Sequence, residues 1–326
     1  MSMRKSHKRE RGGALVAALC LIVTAGVLVG SLVSFSRISA INTTGMTEWM
    51  RSGYIAEGAA ARIRFLIEAD RQQFSVRRPN EVDFEEYEHD RYLADGSEHV
   101  LDYYGNEIKF TISDGVSGLP FQSGRVVNTF SQNRSTETLV TDAVELYRNR
   151  IQDYMDANDT ANEDSFEKEE YEAMGMKNMP RNDTPQYREE LLWIPGIAEI
   201  LPVDKDGRLS LVRHFRLPTN GNWSIYTVPY SILRTQGGMT AEQAAKVLRA
   251  VRDWQINRTP LDESLDETVL PLARRFSWQE SGYYTVRISQ TDSAQKPGSR
   301  LLFTFQSNGV GGPSSQVATF IEYFRF

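Results

Sequence analysis

The side chains best suited to chemistry lie in one acidic segment, residues 153–172. Counted from Asp156, oxygen-bearing residues occupy positions 1, 3, 5, 7, 9 and 12, which is the spacing of a calcium-binding loop. These residues are Asp156, Asn158, Thr160, Asn162, Asp164 and Glu167. Calcium prefers about six to eight oxygen ligands, and a divalent ion would relieve the repulsion between carboxylates in so short a segment. The pattern predicts a metal site whose cofactor is calcium.

Position 6 of this loop is Ala161, whereas an EF-hand has a glycine there that allows a sharp turn. A solvated acidic loop that binds no ion is the alternative interpretation of the same residues. Both interpretations stay open at the level of sequence.

A second candidate motif is Ile194-Pro195-Gly196-Ile197-Ala198, which resembles a helix-hairpin-helix. A DNA-binding copy normally has a second glycine where Ala198 stands, followed by basic residues that contact phosphates. Here Glu199, Asp204 and Asp206 follow instead, with Lys205 between them. We therefore expect a turn that packs helices together, and we expect no nucleic-acid partner.

Signatures of enzymes are missing from the sequence. It has no Ser-His-Asp spacing, P-loop, Rossmann glycine pattern or nucleophile elbow, and its four histidines form no HExxH motif. The single cysteine, Cys20, excludes an intramolecular disulfide and a thiolate zinc site. We expect no enzymatic activity and no catalytic residues. An anchored hydrolase with an unrecognised site is the alternative.

The segment that anchors the chain is the uncharged run from Gly13 to Phe35. Its roughly 23 residues, at about 1.5 Å of rise each, can cross the hydrocarbon layer as one helix. Five basic residues and one acidic residue, Glu10, precede it. This bias predicts a cytoplasmic N-terminus and an exported remainder.

After the membrane helix, the sequence alternates between helical and strand patterns. Apolar residues at helical spacing predict that the first helix continues to Phe74, and Asn42-Thr43-Thr44-Gly45 predicts a looser stretch near the membrane exit. Alternation predicts a hairpin at 100–113, with a turn at Gly105-Asn106, and three further strands within 284–325. Between them, we expect helices from 138 to 156, from Thr184-Pro185, and from the capping box at Thr240. A long helix against an antiparallel sheet is an α+β architecture.

The N-terminus also resembles a known processing signal. Arg11-Gly12 followed by an apolar run is similar to the type III signal that prepilin peptidase cleaves in pilins and pseudopilins. The resemblance implies cleavage between Gly12 and Gly13, which removes five basic and one acidic residue and changes the formal charge from −6 to −10. Pilins usually have a glutamate five residues into the mature chain, where this sequence has Ala17. A plain signal anchor is the alternative.

The helical region strengthens this resemblance and narrows it to one family. Its successive segments RIQDYMDANDTANEDSFEKEEY, LLWIPGI, SIYTVPYSIL and GMTAEQAAKVLRAVRDW resemble, in order and spacing, the helical domain of type II secretion system protein K. That family comprises large minor pseudopilins that typically lack the glutamate. In the same acidic loop, members of this family are similar to calcium-binding proteins.

The resemblance implies a pilin-like α+β fold with a long N-terminal transmembrane helix, an antiparallel β-sheet and a large inserted all-α domain. The expected division is a leader at 1–12, a transmembrane helix at 13–38, pilin-like parts at 39–136 and 256–326, and the helical insert at 137–255. The implied function is a minor pseudopilin at the tip of the periplasmic pseudopilus. A membrane-anchored type IV pilus or competence-type minor pilin is the alternative.

The family also implies partners and a location. Partners would be the minor pseudopilins called proteins I and J, the major pseudopilin and prepilin peptidase. The chain would be a single-pass protein of the inner membrane with its C-terminal domain in the periplasm. It would assemble rather than catalyse.

Overall fold

One long helix, α1 (Lys8–Phe74), forms the N-terminal part of the computed structural model. The structure describes residues 8–74, 78–82, 84, 91–122, 126–127, 137–201, 203–204, 207–209, 211–218, 220–290, 300–307 and 320–325. The part of α1 up to Ile55 belongs to one compact unit, and the described chain from Ala56 onward belongs to a second.

In the first unit, the apolar side chains of α1 are exposed all around the helix, as in a membrane-spanning segment. The helix is continuous through 42–45, so the predicted loosening there is wrong. The hydroxyls of Thr43 and Thr44 donate to the carbonyls of Ser39 and Ala40, at 2.8 and 2.9 Å. Because these short polar side chains bond within the helix, they do not interrupt it.

The second unit contains the remaining elements. The α-helices are α2 (Glu137–Met155), α3 (Lys168–Ala173), α4 (Tyr230–Thr235), α5 (Ala241–Asn257), α6 (Leu261–Ser264) and α7 (Leu270–Ala273). The strands are β1 (Asp95–Tyr103), β2 (Asn106–Asp114), β3 (Leu119–Pro120), β4 (Val212–Arg213), β5 (Tyr283–Gln290), β6 (Arg300–Gln306) and β7 (Phe320–Arg325). Two 3-10 helices cover Pro79–Glu81 and Arg188–Trp193.

The main sheet has five antiparallel strands in the order β1-β2-β5-β6-β7. The predicted hairpin and the three C-terminal strands are confirmed. The hairpin turn lies at Tyr104-Gly105, one residue earlier than predicted, because Tyr103 pairs with Asn106 and leaves a two-residue loop. Both turn residues have positive φ, of 51° and 72°, as this tight turn requires.

The C-terminal part of α1 packs on this sheet with small and branched side chains. Ala56, Ala59, Ile63 and Ile67 are buried at helical spacing. At the end of the helix, buried Arg71 donates from Nε to the Tyr284 hydroxyl on β5 at 2.7 Å. The helix therefore forms one wall of the sheet's core.

The helices between β2 and β5 follow the sequence pattern in two of three places. The helix expected at 138–156 is α2, and the capping box is present, since Thr240 Oγ1 accepts from the Gln243 N–H at 3.2 Å. The α-helix predicted from Thr184-Pro185 is wrong, because the chain forms a 3-10 helix from Arg188. There the Glu190 carboxylate accepts from the Gln186 N–H at 2.8 Å, which holds residue 186 outside a helix.

Residues of the segment between α3 and α4 cover the second face of the sheet at β6 and β7, where Arg188 and Arg208 bind Glu322. Leu302, Phe303 and Thr304 are all buried, so β6 is covered on both faces. Opposite Thr304, Glu322 on β7 is buried and accepts from Arg188 Nη2 at 2.7 and 2.8 Å. The predicted domain boundaries at 136/137 and 255/256 stay predictions.

Candidate functional site

The acidic loop begins where α2 ends, and a residue of the helix organises it. Asp153 is fully buried on the last turn of α2, and its Oδ2 accepts from the backbone N–H of Asn162 at 2.7 Å. Its Oδ1 accepts from the Asn162 side-chain amide. The predicted ligand Asn162 is therefore bound by a carboxylate that the loop count from Asp156 left out.

The first arm of the loop forms a series of local turns. Asp156 Oδ1 accepts from the Asn158 N–H at 3.3 Å, and Asn158 Oδ1 accepts from the Thr160 N–H at 2.8 Å. Asn158 and Thr160 are exposed, and Asp156 is half-buried. These turns keep the arm open to solvent.

The last predicted ligand, Glu167, differs from the others because it is only 4% exposed. Glu167 is the N-cap of α3 and stands in a capping-box arrangement with Glu170, but in the described part of the chain no hydrogen bond to either of its carboxylate oxygens is formed. Leaving a buried polar group without a partner costs about 1–3 kcal/mol, and more for a charge. This carboxylate is therefore favoured either in its protonated form or next to a positive partner.

Four other carboxylates act on Glu167. The pKa of Glu167 is raised from 4.5 to about 7, mainly by burial and then by the negative charges of Asp153, Asp156, Asp159 and Glu170. Three of these, Asp153, Asp159 and Glu170, were not among the predicted ligands. All three were visible in the sequence as acidic neighbours, but only the folded loop shows which charges act on Glu167.

The predicted ligand Asp164 lies in a different environment. It adopts a left-handed backbone conformation with φ 56°, its side chain is exposed, and its carbonyl accepts from Arg150 Nε at 2.8 Å. Among the residues that the structure describes, no three acidic, histidine or cysteine side chains are already arranged to hold a metal ion. The buried, unpartnered carboxylate of Glu167, surrounded by like charges, nevertheless fits a cation.

The Ile194–Ala198 motif packs inside the protein. Ile194 and Ile197 are buried, and Gly196 has φ 76° at the turn. The carbonyl of Pro195 accepts a hydrogen bond from Arg150. The motif is a turn that contacts α2 through Arg150, but it does not join two helices, because residues 195–200 after the 3-10 helix form turns. The expectation of no nucleic-acid partner stays a prediction.

The predicted processing residues, Gly12 and Gly13, both lie within α1, near its start. Within the described ranges, α1 is the one helix long and apolar enough to cross a membrane.

Comparisons with known proteins concern the fold. No protein-family model and no curated protein sequence matches the chain. A solved structure does match: the crystal structure of the GspK-GspI-GspJ complex from the type 2 secretion system of enterotoxigenic Escherichia coli. The TM-score is 0.53 at 12% identity, and the match covers 87% of this chain and 99% of that chain.

The chain has a minor-pseudopilin-like fold. The expected α+β class is confirmed, with a long N-terminal helix, an antiparallel sheet and a helical region. At this identity the match shows a fold.

The raised pKa of Glu167 predicts how stability depends on pH without calcium. Between about pH 4.5 and pH 7, the folded chain holds a proton that the unfolded chain has released. The free energy of unfolding should therefore fall as pH rises through this window. In chelator, the wild-type melting temperature should fall by several degrees between about pH 5 and pH 7.5, and Glu167→Gln should flatten that dependence.

The matched control for this measurement is Glu163→Gln, which alters an exposed carboxylate in the same loop. This variant should show the same change of melting temperature with pH as the wild type. Equal slopes in wild type and Glu167→Gln would show that folding does not raise the pKa of Glu167.

Proposed function

We propose that this chain is a minor pseudopilin at the tip of the periplasmic pseudopilus of a type II secretion system. It would be a structural component of protein export across the outer membrane. The observation that carries the proposal is the minor-pseudopilin-like fold, which extends over most of the chain. The long exposed apolar helix gives such a subunit the means to join a bundle of similar helices in the membrane.

Two features favour a position at the tip. Ala17 stands where other pilins use a glutamate to neutralise the N-terminal amine of a neighbour. The helical region contacts β7 on the face opposite α1 through Arg188 and Arg208, and it adds bulk that a further subunit above would have to accommodate. A subunit that stacks poorly beneath another is suited to end a filament.

The partners follow from the same reasoning. The matched structure is a complex of three proteins named GspK, GspI and GspJ. For this chain we propose sibling minor pseudopilins as direct partners, with the major pseudopilin below and prepilin peptidase acting before assembly. The location is the inner membrane, with the second unit in the periplasm.

We further propose that the acidic loop binds calcium. The buried Glu167 carboxylate, with Asp153, Asp156 and Asp159 acting on it, supports this. Asp156 and Glu167 would supply charged oxygens, and Asn158, Thr160, Asn162 and Asp164 are the remaining candidates from the sequence. The ion would stabilise the loop by neutralising charges that otherwise repel one another.

The assembly proposal predicts specific crosslinks in the native membrane. A photo-crosslinking amino acid at Val27, which is exposed on α1, should capture sibling minor pseudopilins through their membrane helices. The same amino acid at Tyr104, at the tip of the β1-β2 hairpin and 88% exposed, is the control for non-specific capture. In mass spectrometry of the crosslinked product, the present chain should begin at Gly13.

Capture of pilus or competence subunits from Val27 would favour the alternative pilin function. A chain that retains Met1, or crosslinks from Val27 to no pilin-like protein, would contradict assembly into any such filament.

The calcium proposal predicts a stability change in the full-length chain. A site with Kd on the order of 10⁻⁴ M would be mostly filled at about 1 mM calcium and would add roughly 1.4 kcal/mol. Chelation should therefore lower the melting temperature by about 3–5 °C. Asp156→Ala combined with Asp164→Ala should remove that response, whereas Glu172→Ala, an exposed acidic change outside the loop, should keep it.

An unchanged melting temperature on chelation would show that the loop is a solvated acidic segment. A double variant that responds to calcium as the wild type does would place the ion elsewhere.

A further inference from the structure

Arg150 lies between two segments that are far apart in sequence. It stands on the penultimate turn of α2, and its guanidinium donates from Nε to the carbonyl of Asp164 at 2.8 Å. Nη1 donates to the carbonyl of Pro195. One side chain thus joins the second arm of the acidic loop to the turn at Pro195-Gly196.

The turn is shaped to receive this guanidinium. Gly196 has φ 76°, a left-handed conformation that favours glycine, and a Cβ atom there would collide with Nη1 of Arg150. The flanking Ile194 and Ile197 are buried, so the turn is fixed on its apolar side. Arg150 supplies its polar contact.

The second arm of the loop is held through its backbone. Asn149 Nδ2 donates to the carbonyl of Glu163 at 3.0 Å, next to the Arg150 bond to Asp164. The Phe166 ring lies 4.5 Å from the guanidinium carbon of Arg150. Because Asn149 and Arg150 of α2 donate to backbone carbonyls here, these hydrogen bonds leave the side-chain carboxylates of the arm available for a cation.

We propose that Arg150 is a positioning residue that couples the acidic loop to the Pro195-Gly196 turn, so that a cation in the loop also orders residues 194–201. This inference rests on the proposed calcium site. An ion that favours one arrangement of the second arm favours the Arg150 arrangement that holds it. By reciprocity, fixing the turn through Arg150 strengthens ion binding by the same factor.

The test is hydrogen exchange measured by mass spectrometry on the full-length protein in detergent, with about 1 mM calcium or with chelator. In the wild type, calcium should slow exchange in peptides covering 156–167 and 194–201, in the second by about fivefold or more. Arg150→Lys keeps the charge but lacks the fork that spans two carbonyls. It should retain the slowing in 156–167 and lose it in 194–201.

Two further variants make the result specific. Arg148→Lys, an exposed change two residues away on the same helix, should behave as wild type. Gly196→Ala places a methyl group against Arg150 from the opposite side and should reproduce the Arg150→Lys result. If Arg150→Lys does not fold, Gly196→Ala takes its place in the test.

Failure of the coupling and failure of the calcium site are distinguishable. Calcium that slows exchange only in 156–167 of the wild type, or that slows both segments in Arg150→Lys and Gly196→Ala, overturns the coupling and leaves the ion site standing. No slowing in 156–167 of the wild type overturns the calcium site and the coupling together.

Discussion

A buried carboxylate on the last strand holds the helical region against the sheet. Glu322 accepts from Arg188 at 2.7 and 2.8 Å and from Arg208, and all three side chains are 10% exposed or less. These arginines hold the pKa of Glu322 below its usual value, even though burial acts in the opposite direction. A charge in this position is stable only while its partners stay in place. The relative position of strand β7 and the segment 188–208 is therefore closely constrained.

The candidate site is connected to this ion pair by a short series of contacts. Residues 188 and 208 enclose the 3-10 helix and the Pro195-Gly196 turn, and Arg150 joins that turn to the acidic loop. A separate tie holds the other edge of the sheet, where buried Asp95 on β1 accepts from Trp254 at 2.9 Å and Arg258 at 2.7 Å. The sheet thus contacts the helical region at both of its edges.

Much of this fold could be predicted from sequence because it is locally encoded. Helical spacing from 56 to 67, alternation in β5 and the capping box at Thr240 each reflect contacts within a few residues. The 3-10 helix after Thr184-Pro185 could not be predicted this way. Its geometry depends on Glu190, which is paired with Arg181 at 2.7 Å and accepts from nearby backbone N–H groups. The charges that act on Glu167 depend on how the loop folds around it. The partners of Glu322 depend on folding as well, since the arginines that bind it lie more than a hundred positions away in the sequence.

The most direct test of this account is the thermal stability of Glu322→Gln in the full-length chain. The change keeps the shape of the side chain but removes the charge that pairs with buried Arg188 and Arg208. Arg208 keeps Glu189 as a carboxylate partner, so the loss falls mainly on Arg188, and breaking a buried ion pair typically costs about 3–5 kcal/mol. The account predicts a fall in melting temperature on the order of 10 °C. Glu98→Gln, which breaks the exposed pair with Lys109 at 3.3 Å, should change it by about 2 °C or less. A Glu322→Gln protein that melts within about 2 °C of the wild type would contradict the claim that this ion pair holds the helical region on the sheet.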